Sequence, residues 1–206
     1  MNIRIVAGDA KTLSALAAIP IAFRVDDVVD IDALVESGGR RVESRRIAHP
    51  YEKDYDAYAD NGPRDWARRF DLSGWAFLFA ESDGRRVGGA VVAKDRTIEL
   101  IGEREDTAVL WDLRVDPTYR RRGVGGTLLA AVERWAAERG VNRLLVETQD
   151  VNVPACRFYA SHGFQLDGVT PRAYESLPDE TRIIWRKEFA LAALATLERS
   201  NPVGSI

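Results

Sequence analysis

Residues 109–129, VLWDLRVDPTYRRRGVGGTLL, constrain this chain more than any other stretch. Ala108–Val115 reads as a strand, stopped by Asp116-Pro117, and Val124–Arg139 places Leu128, Leu129, Val132 and Trp135 at helical spacing before Gly140. Between them lies a tight Arg- and Gly-rich turn. Gly123, Gly125 and Gly126 let the backbone approach a ligand without a β-carbon in the way. The helix then directs its free amides and the positive end of its dipole at the turn, and Arg120, Arg121 and Arg122 add full charges. Together these predict an anion site suited to a pyrophosphate, built from the segment Arg120–Thr127. Two common phosphate loops are excluded. No Gly-Lys-Ser/Thr ending is present, and Leu128 stands where a Gly-x-Gly-x-x-Gly fingerprint starting at Gly123 needs its last glycine.

The flanking sequence predicts further alternation of strands and helices. Asn2–Ala7 reads as a strand and Thr12–Ile19 as a short helix before Pro20. Phe23–Asp32 fits strand or loop, Arg41–Ala48 a strand, Tyr51–Asp60 irregular chain, and Arg64–Phe70 one or two helical turns. Gly74–Glu81 and Arg86–Asp95 read as a hairpin turning at residues 82–85. Beyond the central helix, Arg143–Thr148, Phe164–Gly168 and Thr181–Phe189 read as strands. Val153–His162 reads as a short helix with Pro154 near its first position. Residues 1–189 are expected to form one α/β domain, with Ala190–Ile206 a tail that opens as a short helix.

Composition narrows the partners. A net charge of −3 over 206 residues gives no general affinity for nucleic acid or anionic membranes, so an anionic ligand must meet local positive charge. Cys156 alone excludes an internal disulfide framework, and His49 and His162 offer no ligand spacing, so no metal is expected. The amino terminus lacks a signal pattern and no apolar run is long enough to span a bilayer; the expectation is a soluble cytoplasmic protein.

At this point the sequence resembles a known family. Arg120-Arg121-Arg122-Gly123-Val124-Gly125 resembles the Arg/Gln-x-x-Gly-x-Gly/Ala signature of the Gcn5-related N-acetyltransferases (GNAT), with Val115–Tyr119 as its usual approach. Asn152–Tyr159 followed by Gly163-Phe164 resembles the family's second cofactor segment. A closer likeness is to streptothricin acetyltransferases, through Glu147-Thr148-Gln149-x-x-Asn152-Val153-Pro154-Ala155-Cys156 and Pro50-Tyr51-x-Lys53-Asp54-Tyr55. Phe23-Arg24-Val25 and Glu180-Thr181 agree more weakly.

The resemblance implies an α/β (α+β) GNAT fold. Its mixed, mostly antiparallel sheet of about seven strands is flanked by helices and splayed between the fourth and fifth strands. It implies direct acetyl transfer from acetyl-coenzyme A, as cosubstrate, to an amine through a tetrahedral intermediate. The amides of Arg121–Thr127, including Val124, would cradle the pyrophosphate, and the edge Leu113-Arg114-Val115 would pair with the amide-bearing arm. Asn152 would contact the cofactor across the gap. Tyr159 matches the family's general acid; the bland alternative is a core aromatic. Trp111 occupies the place where relatives often carry a glutamate, which leaves Asp112 and Glu147 as candidate bases. Strand alternation turns Asp112 to the opposite face unless a bulge intervenes.

Cys156 has no activating neighbour in sequence and reads as a small buried residue. Asp26, Asp27, Asp30, Asp32, Asp54, Asp56, Asp179 and Glu180 cluster in segments that choose substrates in this architecture, and would suit a small cationic amine such as streptothricin with its β-lysine arm. Arg40, Arg41, Arg45 and Arg46 stand close enough to neutralise them. Two other functions remain open, acetylation of a protein lysine or amino terminus and non-catalytic sensing of acetyl-coenzyme A. Length and family habit imply a monomer or homodimer.

Overall fold

The computed structural model describes residues 1–58, 61–102 and 104–189. Nine strands and five α-helices are assigned among them: β1 (Arg4–Gly8), α1 (Leu13–Ala17), β2 (Phe23–Val29), α2 (Ile31–Glu36), β3 (Ser44–Lys53), α3 (Pro63–Arg69), β4 (Trp75–Ser82), β5 (Arg85–Ala93), β6 (Thr107–Val115), α4 (Val124–Glu138), β7 (Arg143–Gln149), α5 (Val153–Ser161), β8 (Gln165–Pro171) and β9 (Thr181–Glu188). Seven strands form one sheet in the order β1-β4-β5-β6-β7-β9-β8, and β2 and β3 pair separately. Every pairing is antiparallel except β6 with β7. This is the expected GNAT fold.

Local chemistry accounts for the elements the sequence made plain. Asp83 and Gly84 both take positive φ (51° and 75°), so the β4–β5 connection is the tight turn that matches strand twist. In α4, Val124, Leu128, Leu129, Val132 and Ala136 form a buried stripe against Ala90, Val92, Ala108 and Leu110 of the sheet. Gly88 allows this approach, since a β-carbon there would sit 3.0 Å from Leu128 and 3.1 Å from Val124. On the other face, Leu13, Leu16 and Trp66 from α1 and α3 cover Phe77, Phe79, Val91, Val109 and Leu145.

Of the two readings of Phe23–Asp32, the strand holds over Phe23–Val29; α2 follows, and its N-cap Asp30 accepts from the Ala33 amide at 3.1 Å. Two expectations are corrected. The strand expected over Arg41–Ala48 begins at Ser44 and continues through Lys53, into residues read as irregular. Phe23, Arg24 and Val25 pair with Lys53, Glu52 and Tyr51, so ladder hydrogen bonds extend a segment whose alternation is weak. The strand expected at Phe164–Gly168 runs instead from Gln165 to Pro171, held by β9. The helix expected in the tail lies outside the described residues.

The β6–β7 pairing positions the site. Thr107, Ala108 and Val109 pair with Arg143, Leu144 and Leu145, and there the ladder ends, although both strands continue. Beyond that point β6 stays bonded to β5 and β7 to β9, so the sheet opens between its fourth and fifth strands. Leu128→Ala, which empties a fully buried site on the α4 stripe, is expected to lower stability by about 2–5 kcal/mol. Urea denaturation followed by circular dichroism measures it; a loss within experimental scatter contradicts this packing.

Candidate active site

The mouth of the splay collects side chains from five segments. On β6, the register against β5 slips by one residue between Val91 and Val92, which leaves Trp111 as the extra residue of a bulge. The bulge resolves where Asp112 points. Asp112 pairs opposite Val91, whose side chain packs on the α1/α3 face, and Trp111 stacks on the same face against Trp66, Phe70 and Trp75. Trp111 and Asp112 therefore share a face that strict alternation would have divided between them.

Asp112 is held there by Arg114. Arg114 Nε and Nη2 donate to the two Asp112 carboxylate oxygens at 2.9 and 2.6 Å, and Nη1 and Nη2 donate to Asp56 at 2.7 and 3.1 Å. Arg114 Nη1 also donates to the Ile19 carbonyl at 3.2 Å. The guanidinium is 1% exposed, and the paired carboxylates hold its pKa above the ordinary value despite burial. The Arg114 side chain is thus a buried cross-brace, leaving only the backbone of Leu113-Arg114-Val115 for a ligand. Leu113 and Val115 turn their side chains into the core against α4.

The anion turn follows β6. Arg121 (φ 58°) and Gly123 (φ 85°) both adopt left-handed backbone, and Gly123 caps α4 without a side-chain hydrogen bond. The amides of Arg121, Arg122, Gly123, Val124, Gly125 and Gly126 have no acceptor among the described residues. This is the unpartnered helix start that binds anions. The Thr127 amide and hydroxyl are already bonded to the Gly123 carbonyl, at 3.0 and 3.1 Å, so the expected cradle ends one residue earlier. Arg120 is also corrected. Its guanidinium donates to the carbonyls of Val115 (3.0 Å) and Ala22 (2.8 Å), tying the loop before β2 to the end of β6. Arg121 and Arg122 remain exposed, with Arg122 over the Tyr119 ring at 5.7 Å.

The glycines in α4 have a second use. A β-carbon on Gly125 would meet the Phe158 ring at 3.3 Å, and one on Gly126 would meet His162 Nε2 at 3.2 Å. Their absence lets the head of α4 lie directly against α5. Tyr159 of α5 is 5% exposed, and its hydroxyl has no hydrogen-bond partner among the described residues. Burial, with smaller contributions from the Asp112 and Cys156 charges, raises its pKa above the usual phenol value. His162 closes α5 with Nδ1 2.8 Å from the Phe158 carbonyl, a structural contact.

Across the gap, Glu147 and Gln149 continue the β7 face of Leu145, whereas Val146 and Thr148 turn to the α4/α5 core. Glu147 is exposed, and Tyr174 donates to its Oε1 at 2.7 Å. Gln149 Nε2 donates to Tyr174 at 2.8 Å, and Tyr55 donates to Gln149 Oε1 at 2.5 Å. Asn152 caps α5 by accepting from the Ala155 amide at 3.2 Å, and its Nδ2 lies 3.5 Å from the Tyr55 hydroxyl. Sequence reasoning missed Tyr55, Gln149 and Tyr174 as site residues; Tyr174 lies in a loop with no motif to mark it.

The acidic residues expected to form a substrate wall are mostly engaged elsewhere. Asp26 and Asp27 pair with Arg24 and Arg46, Asp30 and Asp54 cap helical turns, Asp56 holds Arg114, and Glu180 pairs with buried Lys53. Asp32 and Asp179 are exposed. Two small cavities, about 150 and 250 Å³, lie around Arg104 at the closed end of the β6–β7 pair, away from these groups.

A sheet that parts at its parallel pair, with an open amide turn leading from the parting strand, defines the class of acyl-coenzyme A-binding transferase folds. The model of the Acetyltransferase (GNAT) family matches residues 42–164, and the chain belongs to this family. The Bacillus subtilis (strain 168) streptothricin acetyltransferase A is 39% identical over 84 residues, 40% of this chain, and that match spans about half (49%) of the relative's length. The Escherichia coli streptothricin acetyltransferase is 31% identical over 166 residues, covering 79% of this chain and 83% of its own. Among solved structures, a chain assigned as a streptothricin acetyltransferase from Bacillus anthracis str. Ames, in complex with acetyl coenzyme A, superposes with a TM-score of 0.70. It is 25% identical, over 92% of this chain and all of that one. Nourseothricin acetyltransferase, at 22% identity and a TM-score of 0.68 over 91% and 99% of the two chains, shares the fold.

Cys156 is fully buried, 3.4 Å from Thr148 Oγ1, and burial pushes its pKa up to about 12. A raised thiol pKa keeps it protonated and unreactive. Folded protein near pH 8 is expected to leave a disulfide-exchange reagent such as DTNB unconsumed, and guanidinium-unfolded protein to consume one equivalent per chain. Rapid reaction of the folded protein contradicts this placement.

Proposed function

We propose that this protein is an acetyl-coenzyme A-dependent N-acetyltransferase whose acceptor is a primary amine on a small cationic molecule, streptothricin or a compound of similar size and charge. The observation that carries the reading is the run of six unpartnered amides, Arg121 to Gly126, beside a strand edge freed by the splay. The names of the two curated relatives support the acceptor class.

Acetyl-coenzyme A supplies an acetyl thioester open to attack by a neutral amine. The residues present fit it. The six amides, the helix dipole, and the exposed Arg121 and Arg122 suit a pyrophosphate. The free β6 edge at Leu113–Val115 suits the amide-bearing arm, and in this reading a β6 amide stabilises the oxyanion. Tyr159, on the α4/α5 side, gives a proton to the departing thiolate; its hydroxyl has no competing partner. Glu147, on the opposite face, takes the proton of the amine. Asp112 is the poorer base, because a carboxylate doubly bonded to a buried guanidinium gains little from protonation. Asn152 acts on the ligand only indirectly, by fixing α5 and Tyr55.

Isothermal titration of coenzyme A tests the cradle, with binding heat expected and a flat titration overturning the reading. Tyr159→Phe is expected to retain that heat while kcat falls by about 100-fold or more, and undiminished turnover would exclude Tyr159 as the acid. Because the Tyr159 pKa is raised, its protonated form persists as pH rises. The rate is therefore expected to show no Tyr159-dependent decline from roughly pH 7 to pH 9. A fall over that interval in the native protein, absent from Tyr159→Phe, would contradict this.

A further inference from the structure

Five side chains at the mouth of the splay form one directed chain: Asn152, Tyr55, Gln149, Tyr174, Glu147. Its polarity is fixed at both ends. At one end, the Ala155 amide must donate to Asn152 Oδ1, because a helix start leaves that amide without a backbone acceptor. This turns Asn152 Nδ2, a donor, toward the Tyr55 oxygen. The Tyr55 proton then goes to Gln149 Oε1, which leaves Gln149 Nε2 to donate to the Tyr174 oxygen. The Tyr174 proton has one remaining destination, Glu147 Oε1. At the other end, an ionised carboxylate accepts only, which demands the same direction. Reversing Asn152 would set donor against donor at the Ala155 amide, and reversing Gln149 would leave the single Tyr174 proton facing two acceptors, Gln149 Oε1 and Glu147 Oε1.

We propose that Tyr174, in the loop between β8 and β9, is the positioning residue that holds Glu147 as the acceptor of the substrate amine's proton. The proposal rests on the transferase reading above and deepens it. With Oε1 committed to Tyr174, Glu147 presents Oε2 to the amine, and the α5 cap Asn152 fixes the carboxylate's orientation through three intervening side chains. The other four side chains keep their protons in transfer: one proton moves from the ammonium to Glu147, the neutral nitrogen forms the C–N bond as the C–S bond breaks, the thiolate takes a proton from Tyr159, and the second nitrogen proton returns to the Tyr159 oxygen. The chain also ties three segments outside the cofactor turn (the loop after β3, β7 and the loop after β8) into one wall beside the acceptor. A tyrosine in a loop whose hydroxyl lies between a carboxylate and a glutamine is positioned for this role and has no comparable use in the core.

The test is a double-mutant cycle on the full chain, with streptothricin and a panel of small primary amines (lysine, spermidine, kanamycin) as acceptors. Tyr174→Phe is expected to lower kcat for the best acceptor about tenfold or more, with the KM for acetyl-coenzyme A and the heat of coenzyme A binding unchanged. Glu147→Ala is expected to lower kcat at least as much. Adding Tyr174→Phe to Glu147→Ala is expected to cause no further loss, since Tyr174 acts through Glu147. Undiminished kcat in Tyr174→Phe overturns the proposal, as does a loss that multiplies in the Glu147→Ala background. Coenzyme A binding by the native protein without transfer to any acceptor overturns both this proposal and the transferase reading. Transfer that survives Tyr174→Phe overturns this one alone.

Discussion

The parting of β6 from β7 is the constraint on which the site depends. Parallel strands normally continue pairing while both remain extended, because each unpaired amide and carbonyl carries a desolvation cost. Here pairing stops after Val109 and Leu145, and the bulge at Trp111 begins at once. A bulge bends its strand and increases local twist, which turns β6 away from its neighbour while leaving its bonds to β5 in place. The four aromatic rings of Trp66, Phe70, Trp75 and Trp111 pack at centroid separations of 5.0–6.3 Å and hold the bulged residue against the α1/α3 face. The opened edges are then free for a ligand that brings its own amides.

Charge around the opening is arranged so that few groups stay unpartnered. Arg114 lies buried between Asp112 and Asp56 and also bonds a carbonyl of the loop before β2. Such a buried group is destabilising if one partner is lost, by roughly 3–5 kcal/mol, yet adds little net stability over an apolar replacement. Its value is positional, because one side chain on β6 fixes the loop before β2 and the loop after β3. Lys53 and Glu180 do the same for the end of β3 and the start of β9. Against this background the exposed Glu147 and the partnerless hydroxyl of Tyr159 stand out, and they are the base and acid proposed above.

Much of the fold was legible because its signals are local. The β4–β5 hairpin follows from a turn whose two central residues tolerate positive φ, and α4 follows from its apolar stripe. The turn at Arg121–Gly126 was legible for the same reason: a helix start supplies free amides wherever it occurs. The second half of β3 was not legible, since Tyr51, Glu52 and Lys53 become strand only by pairing with Val25, Arg24 and Phe23. Arg120 misled in a related way. Its charge suggested a phosphate, but folding delivered carbonyls to it first.

The sequence by itself determined the strand–turn–helix unit and the apolar faces that stack it, because these depend on residues within a few positions of one another; Tyr159 and Glu147 were candidates through the family resemblance. Tertiary structure alone decided that Asp112 shares a face with Trp111, that the acidic segments neutralise themselves, and that Tyr55 and Tyr174 meet at Gln149. The last of these requires groups 25 and 94 positions apart to arrive within hydrogen-bond distance. A contact of that kind is set by where the sheet places each strand, and no local propensity encodes it.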